Sequence, residues 1–173
     1  MPLNNIDLQQ VIEYRKDMIR DPEEAKFTAK IQGEWLFDED GPQFRAAVPV
    51  LGGTYTMEAS HPNFSGPGKY PGPMAFGLFW FAACVTSTFM TEAAQQGVKI
   101  DQMRTGVEAD LNYLAQFDLG DVPLVGEYRV FFEVKSDAPV EKLEELKAFA
   151  RKGCMGMYTI QHAIPLKMEV RKG

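Results

Sequence analysis

Cys84 and Cys154 are the two side chains in this sequence best suited to chemistry, and they lie 70 residues apart with no third thiol to pair with. If two thiols meet across a fold, one thiolate can take an oxygen from a peroxide. The second then condenses with the resulting sulfenic acid to give a disulfide. Two cysteines that never meet are small hydrophobes and nothing more. The residues alone leave both readings open. Cys84 sits late in an uncharged apolar stretch, Phe76-Gly-Leu-Phe-Trp-Phe-Ala-Ala-Cys84. Cys154 closes a charged helical segment, Leu146-Lys-Ala-Phe-Ala-Arg-Lys-Gly-Cys154, at a break where a new helical turn can start. Other groups carry less. His61 and His162 are too few and too far apart in sequence to suggest a metal site. Asp38-Glu39-Asp40 reads as a solvated turn, since a calcium loop needs more ligands at fixed spacing. Gly66-x-Gly68 lacks a phosphate-loop pattern and reads as flexible loop. No metal and no cofactor is expected.

The elements that must position the cysteines follow from pattern. The chain has 173 residues, 45% hydrophobic and 12% aromatic, enough for one domain with a full core. Its net charge of −6, with no basic cluster larger than a pair such as Arg151-Lys152, gives no support for a nucleic-acid partner. Met1-Pro-Leu-Asn-Asn lacks the regions of a signal peptide, so a cytoplasmic location is expected. In that compartment two cysteines argue against a structural disulfide. Residues 70–91 are uncharged, which raises a membrane span. Pro71, Gly72, Pro73 and Gly77, then Thr86-Ser87-Thr88, interrupt that stretch, and a buried central helix is expected instead, with no membrane partner.

The spacing predicts a first helix after Asp7, carrying Leu8, Val11, Ile12, Met18 and Ile19 on one face and ending at Asp21-Pro22. Phe27, Ala29 and Ile31 alternate with polar residues and predict a half-buried strand. Two more strands are expected at 44–50 and 54–59, joined tightly at Gly52-Gly53. The central helix follows over 73–96, with Gly97 as its stop. Met103, Thr105, Val107, Ala109, Leu111 and Tyr113 mark a long strand whose antiparallel partner spans 128–135. A helix opens after Pro139, with an apolar stripe of Val140, Leu143, Leu146, Phe149 and Ala150. A short helical piece spans 154–162, and Leu166, Met168 and Val170 alternate as a last strand. The expected fold class is α+β in the order α-βββ-α-ββ-α-α-β.

That order, with these two cysteines, resembles the OsmC/Ohr family (osmotically induced protein C and organic hydroperoxide resistance protein) over residues 25–171. Pro73 and Phe81-Ala-Ala-Cys84 match the family's first-cysteine helix. Ala150-Arg-Lys-Gly-Cys154 matches the segment around its second cysteine, and the strand from Pro165 to Val170 follows as it does there. The resemblance implies a single OsmC-like domain over 1–173, with 1–22 as an added N-terminal helical extension. It also implies an intertwined homodimer of antiparallel sheets around two long helices. It assigns Cys84 as the peroxidatic thiol, Cys154 as the resolving thiol, an organic hydroperoxide as substrate and a dithiol as reductant. Phe76, Phe79, Trp80 and Phe81 offer core, dimer interface, or an apolar lining for the hydroperoxide tail.

The chain departs from the family pattern at three points. The position after Pro73 is Met74 where the family has a glutamate that orients an arginine. No arginine occurs between Arg45 and Arg104, and Met155-Gly156 replaces the usual Pro-Val after the second cysteine. A thiolate needs a cation or a helix start beside it, and Arg45, Lys69 and His61 are the available substitutes. Two functions of different class therefore stand. One is a cysteine-based hydroperoxide reductase. The other is an OsmC-like dimer without that activity, which binds a small apolar ligand or handles thiols otherwise.

Overall fold

The computed structural model describes residues 2–61, 63, 64 and 69–172. Among them the order is α1 (Leu8–Arg20), β1 (Gly33–Trp35), β2 (Phe44–Val50), β3 (Gly53–Ala59), α2 (Pro73–Gln95), β4 (Gln102–Leu111), β5 (Val125–Lys135), α3 (Val140–Gly153) and α4 (Met155–Gln161). The fold is α+β, with four helices and two small antiparallel sheets among the described residues. The chain divides into two compact units, Gln9–Phe79 and Trp80–Gly173 with Met1–Leu8.

The second of these units holds the cysteines and the larger core. Helix α2 is uncharged along its first three turns and more. Its residues at four-residue spacing, Phe81, Val85, Phe89 and Ala93, make one buried stripe. Ile100, Leu146, Ala150 and Cys154 complete the cluster, and Val107, Tyr128, Val130 and Phe132 pack against it from the β4–β5 pair. The Phe81 ring meets Tyr128 edge-on at 5.9 Å, and Phe89 meets Phe132 at 5.3 Å. Burying one such side chain stabilises the fold by about 1.5–3 kcal/mol. Helix α2 ends as expected. Gly97 takes φ +69°, its N–H donates to Ala94 O, and the Val98 N–H donates to Ala93 O, the double bond of a Schellman stop.

Strands β4 and β5 pair antiparallel, Met103 opposite Val134 and Val107 opposite Val130. Their polar residues share the wet face, where Arg129 is held by Glu108 at 3.0 Å, Asp110 at 2.6 Å and Glu127 at 2.8 Å. All four side chains are well exposed, so the network contributes little to stability. A register shift between Ala109 and Leu111 breaks the alternation, which is why Tyr113, expected in the strand, falls outside it.

The other unit carries α1 and a three-stranded sheet in the order β1-β2-β3. Phe44 pairs with Ala59 and Val50 with Gly53, so Leu51-Gly52 makes the turn. Two sequence expectations fail on strands. Residues 26–32 form no strand, and Phe27 and Ile31 are exposed; the first strand is instead the short β1. Residues 163–172 likewise form no strand, and Leu166, Met168 and Val170 are exposed. A period-two pattern specifies a strand only where a neighbour takes its hydrogen bonds, and neither segment finds one among the described residues. The loop reading of Gly66-x-Gly68 lies outside the described residues.

Helix α2 is not interrupted where its sequence suggests breaks. It runs unbroken through Gly77 and through Thr86-Ser87-Thr88. Thr86 and Thr88 donate their hydroxyls back to Ala82 O at 2.7 Å and Cys84 O at 3.0 Å, so neither breaks the helix. By length and composition α2 could cross a membrane. What marks it as a core helix is the packing of its buried stripe. Its remaining faces are less covered: Phe79 is 70% exposed and Trp80 45%.

Candidate active site: a thiol pair at a three-helix junction

Two features of the local sequence bring the cysteines together. Cys84 follows the buried Phe81 by three residues, which puts it on the edge of the α2 stripe, half-buried. Cys154 is the hinge between α3 and α4. Its N–H donates to Ala150 O at 3.0 Å and its carbonyl accepts from the Tyr158 N–H at 2.9 Å. Its sulfur caps α4 by accepting the Met157 N–H at 3.4 Å. The residue is 1% exposed.

The two sulfurs lie 3.3 Å apart, within hydrogen-bond distance, and both are free thiols. A bonded pair is about 2.0 Å apart, so a disulfide needs a closure of the order of 1 Å, within reach of side-chain rotation. Gly156 suits this approach. A Cβ there would stand 3.3 Å from the Phe81 ring and 3.5 Å from both Cys84 Cβ and the Trp80 indole. Without one, the first turn of α4 presses against α2.

Opposed influences act on Cys84. Burial is the largest and pushes its pKa up, and the neighbouring Cys154 thiol pushes the same way. The backbone N–H groups of Gly156 and Met155 pull it down. The net direction is up, so the resting form at neutral pH is the thiol. Helix α2 gives Cys84 no exposed terminus, as its mid-helix place implies. The start of α4 supplies N–H donors instead, and the sequence reading missed them. The signal was available: Met155 has an N–H where the family's proline has none.

The cations expected as substitutes, Arg45, Lys69 and His61, lie in the other unit. Among the described residues no cationic side chain contributes to the shift of Cys84. Arg45 is paired with Glu58 at 2.8 Å on the β2–β3 face. The His61 ring stacks on Phe64 at 3.9 Å. His162 stacks on Tyr158 at 4.1 Å, with Nδ1 2.9 Å from Tyr158 O. No group of three or more metal-ligating side chains occurs among the described residues.

Of the four aromatic residues expected to line a substrate pocket, Trp80 and Phe81 stand beside the thiols, through Gly156. Phe81 is a core residue that also lines a cleft of about 840 Å³ between β5, α3 and α4. Phe79 faces solvent in the single chain, and Phe76 is half-buried on the α2 turn before it. The cleft was not anticipated. Val85, Val130, Phe132, Met157 and Ile160 contribute apolar walls, with Lys147 and Arg151 among the lining residues.

A family model described as OsmC-like protein matches residues 66–169, well over half of the chain. This chain belongs to the OsmC-like family. The match is narrower than the span over which the sequence resembles that family, and it contains both cysteines and all four aromatic candidates. Among solved structures, the OsmC-like fold returns in an OsmC-like protein from Mycoplasma pneumoniae. That protein is 18% identical with TM-score 0.61, and the match covers 79% of this chain and 89% of the other. It returns again in an OsmC-like protein of unknown function from Vibrio cholerae, 14% identical with TM-score 0.53, covering 78% and 94%. At these identities the likeness is one of fold. No curated protein matches the chain.

Proposed function

We propose that this OsmC-like protein is a thiol peroxidase for organic hydroperoxides, with Cys84 as the peroxidatic and Cys154 as the resolving cysteine. The observation that carries the reading is the 3.3 Å separation of two free sulfurs that are 70 residues apart in sequence. Cys84 is the more exposed of the two and meets the peroxide. Its thiolate attacks the distal oxygen, the O–O bond breaks, and the alkoxide leaves as an alcohol after taking a proton. Cys84 becomes a sulfenic acid. Cys154 attacks that sulfur and water departs, leaving the Cys84–Cys154 disulfide. Two external thiols then restore the pair and are themselves oxidised to a disulfide, so the cycle balances. Met155 and Gly156 N–H groups take the place of the family's arginine as partners for the thiolate. Trp80 and Phe81, with Phe76 and Phe79 further along α2, supply apolar surface for the organic part of the substrate. The decisive experiment is a thiol count before and after one equivalent of cumene hydroperoxide, which should fall from two to zero per chain.

The raised Cys84 pKa sets the pH dependence. Only the thiolate reacts, and below its pKa the thiolate fraction rises about tenfold per pH unit. The second-order rate with the hydroperoxide should therefore keep rising past the pH at which an ordinary cysteine has levelled off. Stopped-flow rates measured from neutral to alkaline pH check this. A plateau near neutrality would mean that a cation reaches Cys84.

The reading takes the chain as a single OsmC-like domain with residues 1–22 as an extension, acting as a cytoplasmic homodimer. Support for the dimer comes from α2, whose apolar residues outnumber those its own core can cover, Phe79 and Trp80 being exposed. Sedimentation equilibrium at micromolar concentration should give twice the 19.4 kDa chain mass. A monomer would remove the interface from the reading.

A second reading rests on the 840 Å³ cleft. An OsmC-like protein without peroxidase activity could hold a small apolar ligand there, because neither cysteine lines it. Two thiols still reduced after the hydroperoxide treatment would favour this reading.

A further inference from the structure

Resting on the peroxidase reading, we propose that Cys84 is also the sulfur attacked when the disulfide is reduced, so that Cys154 never bonds to anything outside the chain. Thiol–disulfide exchange requires the incoming thiolate to reach one sulfur along the line of the S–S bond, with the other sulfur leaving. Access and leaving-group stability together choose which sulfur that is. Access decides it here, in favour of Cys84.

Access differs sharply. Cys154 is 1% exposed, while Cys84 is half-buried at the edge of α2. The backbone of Cys154 is held in place as well: its N–H and carbonyl are both committed, to the end of α3 and to the first turn of α4. A small crevice of about 280 Å³, lined by Lys152, Met155 and Tyr158, reaches this residue from outside and still leaves it almost wholly covered.

Cys154 also has a donor of its own as the leaving group. Cys154 Sγ caps α4 and accepts the Met157 N–H at 3.4 Å, a donor already in place for the thiolate that departs. The step is then complete. An external thiolate bonds to Cys84 Sγ, the S–S bond breaks, and Cys154 takes the electron pair and then a proton. A second external thiol attacks the mixed disulfide at the outer sulfur, and Cys84 leaves as the thiolate that begins the next cycle. One consequence is that hydroperoxide and reductant share a single approach, to Cys84 Sγ.

Two measurements test this, and neither uses a peroxide. In the first, the wild-type disulfide is formed with diamide, treated with 2-mercaptoethanol, quenched in acid and mapped by peptide mass spectrometry. The adduct should sit on Cys84 over Cys154 by about tenfold or more. An adduct mainly on Cys154, or divided equally, would overturn the proposal. In the second, the single-thiol variants Cys154→Ser and Cys84→Ser are each reacted with bis(2-hydroxyethyl) disulfide at a pH that ionises both thiols. Cys84 should exchange about tenfold faster than Cys154, because exchange in this direction needs the same access. Equal rates, or a faster Cys154, would overturn it even if diamide failed to form the disulfide. Failure of the peroxidase reading is scored separately, by the thiol count with cumene hydroperoxide.

Discussion

Cys84→Ser is expected to abolish turnover of an organic hydroperoxide, leaving only the uncatalysed reaction with the reductant. Every step of the proposed cycle passes through Cys84 Sγ, and serine cannot accept the oxygen as a stable sulfenic acid. The remaining thiol is poorly placed to take over. Cys154 is 1% exposed and holds its sulfur toward α2 and the α4 backbone. The substitution should be mild for the fold, since it removes one half-buried sulfur and keeps a hydroxyl-sized group beside Gly156. Loss of activity with an unchanged melting temperature would therefore be a chemical effect. Consumption of cumene hydroperoxide that survived Cys84→Ser would refute the assignment.

Much of this site was legible in the sequence. The uncharged run through Cys84 announced a core helix, and Gly153-Cys154 announced a break between two helices. Both features are local, and both stand in the structure as α2 and the α3–α4 joint. The meeting of the two sulfurs came from family resemblance, because no local pattern states a contact across 70 residues. Backbone chemistry was the part that escaped. A search for a replacement cation among Arg45, Lys69 and His61 looks only at side chains. The groups that face Cys84 are the N–H donors of Met155 and Gly156, which carry no side-chain signature. Gly156 could have flagged them, since a glycine beside a cysteine at a helix start suggests a close approach of the backbone. The two failed strands have a different cause. Residues 26–32 and 166–170 carry a strand's alternation, but alternation specifies which face is apolar and not whether a partner strand exists.

Cys154→Ser should have the opposite signature from Cys84→Ser: the first chemical step survives and the cycle stalls after it. Cys84 still meets the hydroperoxide, and its Met155 and Gly156 donors are untouched, because they belong to the backbone. The first step should not slow. In the wild type, burial is the main influence holding the Cys84 pKa up, and the adjacent Cys154 thiol adds to it as a second acid competing to ionise at the same place. A serine does not ionise there, so at a given pH the Cys84 thiolate fraction should equal or exceed that of the wild type. What is lost is resolution. With no thiol 3.3 Å away, the sulfenic acid persists until an external nucleophile reaches it or excess peroxide drives it to sulfinic acid. Intact-mass measurement after one equivalent of cumene hydroperoxide should show a single added oxygen that dimedone captures quantitatively. The wild type should show instead the loss of two hydrogens and no dimedone adduct. If Cys154→Ser formed no sulfenic acid at all, the peroxidatic role of Cys84 would need Cys154 as its activator, and the order of events proposed here would be wrong. If the wild type accumulated as much sulfenic acid as the variant, the two sulfurs would not couple despite their proximity, and Cys154 would return to being a buried hydrophobe.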